Sequence, residues 1–141
     1  MIHFHAGNGP DTQAIGIALE EMMLDYALAP GRAPVPVTVV GQARLPGMNN
    51  ILMALARKTG KFLPDAAAAA PWLAKTPPGF DDMEARLGAQ DFLLGPYTVV
   101  DMAMYPLAVR ADLSACPHVR AWVERLRIRP AVGRGMSVVA G

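Results

Sequence analysis

Cysteine is nearly absent: Cys116 stands alone among 141 residues. That excludes an internal disulfide framework and fits a reducing, cytoplasmic setting. Charge is scarce, at 18% of the chain, and the apolar runs are broken well before the roughly 20 residues a membrane span needs. Residues 1–20 hold no basic segment ahead of an apolar one, so no signal peptide is read. An excess of one charge sign is missing too. Thirteen basic and 12 acidic residues leave a net charge of +1, which makes no electrostatic case for nucleic acid. The cluster Arg125, Arg127 and Arg129 reads as a solvated helix end. What the chain has in quantity is apolar residue, 52% of the total, enough for one compact domain or two small halves sharing a core.

Residues 1–5, "MIHFH", alternate Ile2 and Phe4 with His3 and His5, the period of a half-buried strand. "AGNGPDT" supplies turn residues with Asp11 or Thr12 as N-cap, and Ile15, Ala18, Leu19, Met22 and Met23 then predict an amphipathic helix over 12–24. "DYALAPG" is short and extended, and "VPVTVVG", 35–41, is a β-branched run that predicts a buried strand. "ARLPG" reads as a partner strand or a turn. Asn49 or Asn50 can cap a helix that runs to about Lys58 and stops at Gly60. The remainder has no strand pattern. Helices are predicted over about 66–75, 80–94, 98–110 and from Pro117 to Pro130, and "PAVGRG", 130–135, reads as a helix-ending turn. The organisation is α/β plus all-α, with a boundary near Phe62–Asp65.

Inside "FLLGPYTVVDMAMYP", 92–106, Thr98 and Asp101 stand three apart in an apolar run. That is the spacing of a capping box, with Tyr97 and Met102 at the positions of a hydrophobic staple. A helix that starts in the interior cannot leave its first N–H groups bare, so the pair is structural. This device, together with Pro117, Val119, Trp122, Arg125 and Arg129–Val132, resembles the second half of a glutathione S-transferase. "GIALEEMMLDY", 16–26, is similar to the end of that family's first helix. "VPV", 35–37, is similar to the segment whose proline is cis in thioredoxin-like domains, and "ILMALARKTGKFLP", 51–64, to the third helix and its linker.

The resemblance implies a thioredoxin-like N-terminal half, 1–62, lacking its second helix, and a shortened helical C-terminal half, 65–141. It implies glutathione as co-substrate, a small electrophile as its partner, a homodimer, and no metal. The site residues it implies are Asn8, Asp11 and Thr12 around the thiol, with glutathione held by Gly9, Val35, Pro36, Met48, Asn49 and Asn50. Thr12 or Asn8 could donate to the thiolate, whereas Asp11 would repel it and suits a helix cap. The chain departs from the family where an acidic residue and a serine normally hold the γ-glutamyl carboxylate: Gly47 and Met48 stand there. The implied reaction is thiolate attack on an electrophile, or thiol-dependent reduction of a disulfide or peroxide. The alternative is a non-catalytic scaffold or binding protein that has lost glutathione.

Other candidates read as structural. His3 and His5 share a strand face, but no third ligand follows at a telling spacing. Cys116 precedes Pro117 between predicted helices and reads as a structural or incidental thiol. Met22, Met23, Met102 and Met104 read as core filler.

Overall fold

The computed structural model describes residues 2–5, 9–29, 37–40, 43–74 and 78–137. Four short strands form one sheet: β1 (Ile2–His5), β2 (Tyr26–Leu28), β3 (Val37–Val40) and β4 (Ala43–Pro46), in the order β2-β1-β3-β4. β2 runs parallel to β1 with Ile2 opposite Tyr26. β3 runs antiparallel to β1, with Ile2 opposite Val40, and β4 antiparallel to β3. "ARLPG" therefore supplies a true strand. In β1 the alternation holds: Ile2 and Phe4 are buried, His3 is exposed and His5 partly so.

The first helix, α1 (Pro10–Glu21), begins earlier than its apolar stripe suggests. Its N-cap is Gly9, at φ 86°, and neither Asp11 nor Thr12 caps it. Pro10 explains the shift. Its ring presets a helical φ, and the N–H it lacks would have had no partner in the first turn anyway. α1 is also not amphipathic in the expected sense, because every residue from Ala14 to Leu19 is buried. It lies at the centre of the molecule, against α2 (Met48–Thr59), α5 (Val99–Ala108) and α7 (Pro130–Ser137). It ends at Met22, and Met23 turns out to solvent in a left-handed conformation (φ 57°), contrary to the expected core role.

α2 starts two to three residues before the cap expected at Asn49 or Asn50. Gly47, at φ 90°, is the N-cap, and Asn49 and Asn50 lie inside the first turn. Its other end matches expectation: Gly60 closes it in the left-handed conformation, with Arg57 and Lys58 in the last turn. The Ala-rich helix is short, α3 (Ala66–Ala69), capped by Asp65, whose carboxylate accepts from the Ala68 N–H at 2.9 Å. Turns, not helix, continue it to Ala74. α4 (Phe80–Leu87) likewise stops at Gly88, and residues 92–95 form a bridged turn in place of the helix expected to 94. α6 (Pro117–Arg127) ends before Pro130, and "PAVGRG" opens α7 instead of terminating α6. Proline again sits at a helix start, where it is tolerated.

Thr98 and Asp101 form the capping box of α5. The Thr98 hydroxyl accepts from the Val100 N–H at 3.2 Å, and the Asp101 carboxylate accepts from the Thr98 N–H at 3.1 Å. Asp101 does more than the box requires. Its other oxygen accepts from the Leu93 N–H at 3.0 Å and from the Trp122 indole N–H at 2.9 Å. One buried carboxylate thus joins the 92–95 turn, α5 and α6. Burial raises its pKa to about 6, against the pull of those three donors.

Candidate functional site

Where the sheet-bearing half meets the helices, a cavity of about 450 Å³ opens. The sheet-bearing half contributes Asp11 from the first turn of α1, and Gly47, Met48 and Asn49 from the start of α2. Opposite lie Trp72, Leu73 and Ala74 from the turns after α3, with Ala103, Met104 and Leu107 from α5. Two helix N-termini lie at this wall, and neither is closed by a side-chain cap. Their first N–H groups give the site a positive edge suited to an anion.

Local sequence explains each wall. Gly9 and Gly47 both hold positive φ, which lets the backbone turn sharply into α1 and α2 directly beside the cavity. Asn50 donates from Nδ2 to the Pro46 carbonyl at 3.1 Å, so its amide is committed to the β4–α2 turn. Asn49 is exposed on the cavity side with its amide free of any such bond among the described residues. Met48 also lines the cavity.

The candidates around the thiol separate. Asp11 is exposed, faces the cavity and has no hydrogen-bond or ion-pair partner among the described residues. Thr12 points elsewhere: it is 0% exposed, does not line the cavity, and its hydroxyl is buried without a partner. Gly9 is exposed at the entry to α1. Asn8, Val35 and Pro36, with the expected cis bond before Pro36, lie outside the described residues.

Sequence reading did not single out Trp72, Leu73, Ala103 or Leu107 as site residues, and it placed Met104 in the core. Met104 is indeed 2% exposed, yet it still reaches the cavity wall. Their spacing is that of ordinary core positions, and only the packing of α5 against α1 and α2 turns them toward a common space. Trp72 is buried, and the Arg86 guanidinium carbon of α4 lies over its ring, 5.8 Å from the centroid.

Among the described residues no group of three or more His, Cys, Asp or Glu could hold a metal ion. His118 bonds instead to Glu84 of α4, with Nδ1 2.5 Å from the carboxylate. The backbone N–H groups of His118 and Val119 donate to the same carboxylate at 2.9 Å each, so α4 caps α6. Burial pushes the Glu84 pKa up and these donors outweigh it, leaving it below the ordinary carboxylate value. Cys116, beside them, is buried, and its thiol pKa is raised first by burial and then by Glu84, the opposite of an activated nucleophile. No described helix is long and apolar enough to cross a membrane.

Residues 65–125 match the family described as "Glutathione S-transferase, C-terminal domain". Solved structures align over nearly the whole chain. A theta class glutathione S-transferase from Xanthomonas axonopodis pv. citri with glutathione bound is 21% identical, with 96% of each chain covered and a TM-score of 0.81. A glutathione transferase homolog from Lodderomyces elongisporus with two GSH per subunit is 20% identical, covers 98% of each chain and gives 0.83. A glutathione transferase from Burkholderia graminis, with two glutathione molecules per subunit, is 21% identical over 99% of this chain and 88% of the other, at 0.78. No curated protein matches by sequence. The chain has the glutathione S-transferase fold: a thioredoxin-like sheet-bearing half followed by a helical half.

Proposed function

We propose that this chain, with its glutathione S-transferase fold, binds glutathione in the cavity between the two halves and directs its thiolate at a small electrophile. The observation that carries the reading is the coincidence of two uncapped helix starts, α1 through Asp11 and α2 through Gly47–Asn49, on one wall of a cavity of about 450 Å³ whose far wall is largely apolar. A peptide-like anion needs donors and a positive edge, and an electrophile needs apolar surface.

In this proposal the α2 N-terminus receives the γ-glutamyl carboxylate. Asn49 replaces part of the lost side-chain grip, while Asn50 steadies the turn beneath it. The backbone of Val35 pairs with the glutathione cysteine as an added strand would. The thiolate-stabilising donor in this reading is Asn8, since the Thr12 hydroxyl is buried and does not line the cavity. Thiol-dependent reduction of a disulfide or peroxide uses the same thiolate. The division at 1–62 and 65–141, and a homodimer, belong to this reading as well.

A second reading has its own support. Gly47 and Met48 bring no polar side chain to the α2 start, and the Thr12 hydroxyl is shut away from the cavity. A non-catalytic scaffold would tolerate both. Calorimetric titration with reduced glutathione up to about 10 mM separates the two. Binding at millimolar strength or tighter, about −4 kcal/mol, is the expected result. Absence of heat and of thermal stabilisation at that concentration would leave the scaffold reading.

A further inference from the structure

Every residue of the segment joining α2 to α3 is fixed by its neighbours except one. Gly60 closes α2 in the left-handed conformation, and the Lys61 N–H donates to Thr59 Oγ1 at 3.2 Å, which ties Lys61 to the same helix. At the other end Asp65 caps α3, and Pro64 confines Leu63 to extended backbone. Phe62 stands between them at φ 57°, a left-handed conformation that a bulky side chain avoids. What holds it there lies on the helical half. Its carbonyl accepts from the N–H of Val99, the first residue of α5, at 3.1 Å, and its ring meets the Tyr97 ring edge-on, with centroids 5.3 Å apart. Tyr97 is a firm abutment. Phe92 packs on it at 5.3 Å, and the guanidinium of Arg129, itself paired to Glu21 of α1, lies 4.4 Å from its ring centroid.

We infer that Phe62 is the catch of a lid. The lid is the segment 65–74, which carries Trp72, Leu73 and Ala74 onto the cavity, and it opens by turning about Phe62. α3 suits that role, because Ala66, Ala67 and Ala68 are exposed and only Ala69 of its four residues is buried. Trp72 and Leu73, 3% and 7% exposed, seat the lid when it is down. Opposed effects meet at the catch. The left-handed backbone disfavours the closed position by roughly five- to thirtyfold. The Tyr97 contact and the bond to Val99 each favour it by roughly two- to tenfold. The two sides nearly cancel, which leaves closure to the seating of Trp72 and Leu73 and makes this wall the one through which a ligand reaches the cavity. The inference holds whatever the cavity binds.

Thiol labelling of the full chain with dithiodipyridine tests this, with Cys116→Ala removing the native thiol. Leu73→Cys reports the lid, and Val132→Cys, at a buried position of α7, reports opening of the whole molecule. Leu73→Cys should react at least about tenfold faster than Val132→Cys, and its rate should rise less steeply with urea, the mark of a local opening. Equal rates with equal urea slopes would mean that no lid moves on its own, and would overturn the inference. Phe62→Ala removes the ring and keeps the strained Cβ, so it should speed labelling of Leu73→Cys by about tenfold. Phe62→Gly removes ring and strain together, and its rate should lie about two- to fivefold below that of Phe62→Ala. A side chain that only fills space predicts the reverse order, because glycine is the smaller and looser substitute. A Phe62→Gly rate equal to or above the Phe62→Ala rate would therefore defeat the inference, as would no acceleration by Phe62→Ala. Should Phe62→Ala not fold, Phe62→Leu, which keeps the Cβ and lacks the ring edge, is set against Phe62→Gly by the same criterion.

Discussion

The sheet-bearing half meets the helical half on two sides, and the two junctions are built on opposite principles. On one side α1 crosses α7 so closely that glycine is required on both. A Cβ on Gly135 would lie 2.4 Å from the Ile17 backbone, and one on Gly16 would lie 2.7 Å from the Gly135 carbonyl oxygen. The ion pairs Glu21–Arg129 and Glu20–Arg134 lie along the same contact, and Gln13 donates to the Met136 carbonyl at 3.3 Å. On the other side, the starts of α1 and α2 stand away from Trp72 and α5 and leave the cavity. One helix therefore serves both junctions. Its buried length is gripped by α7, which leaves its first turn free to form a wall. A ligand site in a small protein needs space that packing would otherwise close, and the tight crossing holds α1 without filling the cavity.

The largest effect should come from closing the gap in the tight junction. Gly135→Ala places a methyl group against backbone that has nowhere to go, so a loss of roughly 3 kcal/mol or more is expected. Leu107→Ala, on the half-buried cavity wall, should cost about 1 kcal/mol. Urea unfolding of both variants reads the difference. Equal losses would mean that the two junctions carry load alike and the contrast drawn here is wrong.

Asp101 anchors the frame behind the cavity, and its expected effect is intermediate. Asp101→Ala strips the partner from the Leu93, Thr98 and Trp122 N–H groups, at a cost of about 2–4 kcal/mol. Its pH signature is distinctive. The folded-state pKa of about 6 lies above the ordinary 3.8, so the native state binds the proton more tightly than the unfolded chain. That contribution is full below pH 3.8 and is lost as pH rises through 6. Relative to Asp101→Asn, the unmodified protein should therefore gain stability as pH falls from 7 to 4, by roughly 1–3 kcal/mol. A stability difference between the two that stays flat over this range would show that Asp101 ionises as an ordinary carboxylate.

How much of this could be read in advance followed sequence distance. The Thr98–Asp101 box was legible because both partners lie within one turn. The further reach of Asp101, to Leu93 and to Trp122, depends on where α4 and α6 are carried by the fold. The alternation of β1 and the Gly60 stop were legible from local pattern. α7 was not, because proline and glycine ordinarily mark a turn. Here Pro130 starts the helix, and Gly135 serves a crossing with Gly16, 119 positions earlier in the chain. The cavity wall was half legible. The α1 and α2 starts announce themselves through glycine, whereas Trp72, Met104 and Leu107 look like any core residue until α5 is packed. Asp11 was misjudged for a related reason. Aspartate before an apolar stripe normally caps, but Pro10 had already moved the helix start upstream.

The smallest effect bears on the far end of α1, where the tight junction ends. Met23 closes the helix at φ 57°, and the Leu24 N–H returns to the Leu19 carbonyl at 3.1 Å across it. This is the closure in which glycine is normally found at the left-handed position, because a Cβ is strained there. Met23 gains no packing in return, being 82% exposed. Met23→Gly should therefore raise stability, by about 0.5–1 kcal/mol, since relief of strain outweighs the greater freedom glycine gives the unfolded chain. A thermal melt would show a rise of a few degrees. A fall would mean that the Met23 side chain is covered in the working protein, and that the surface at this end of the junction is an interface.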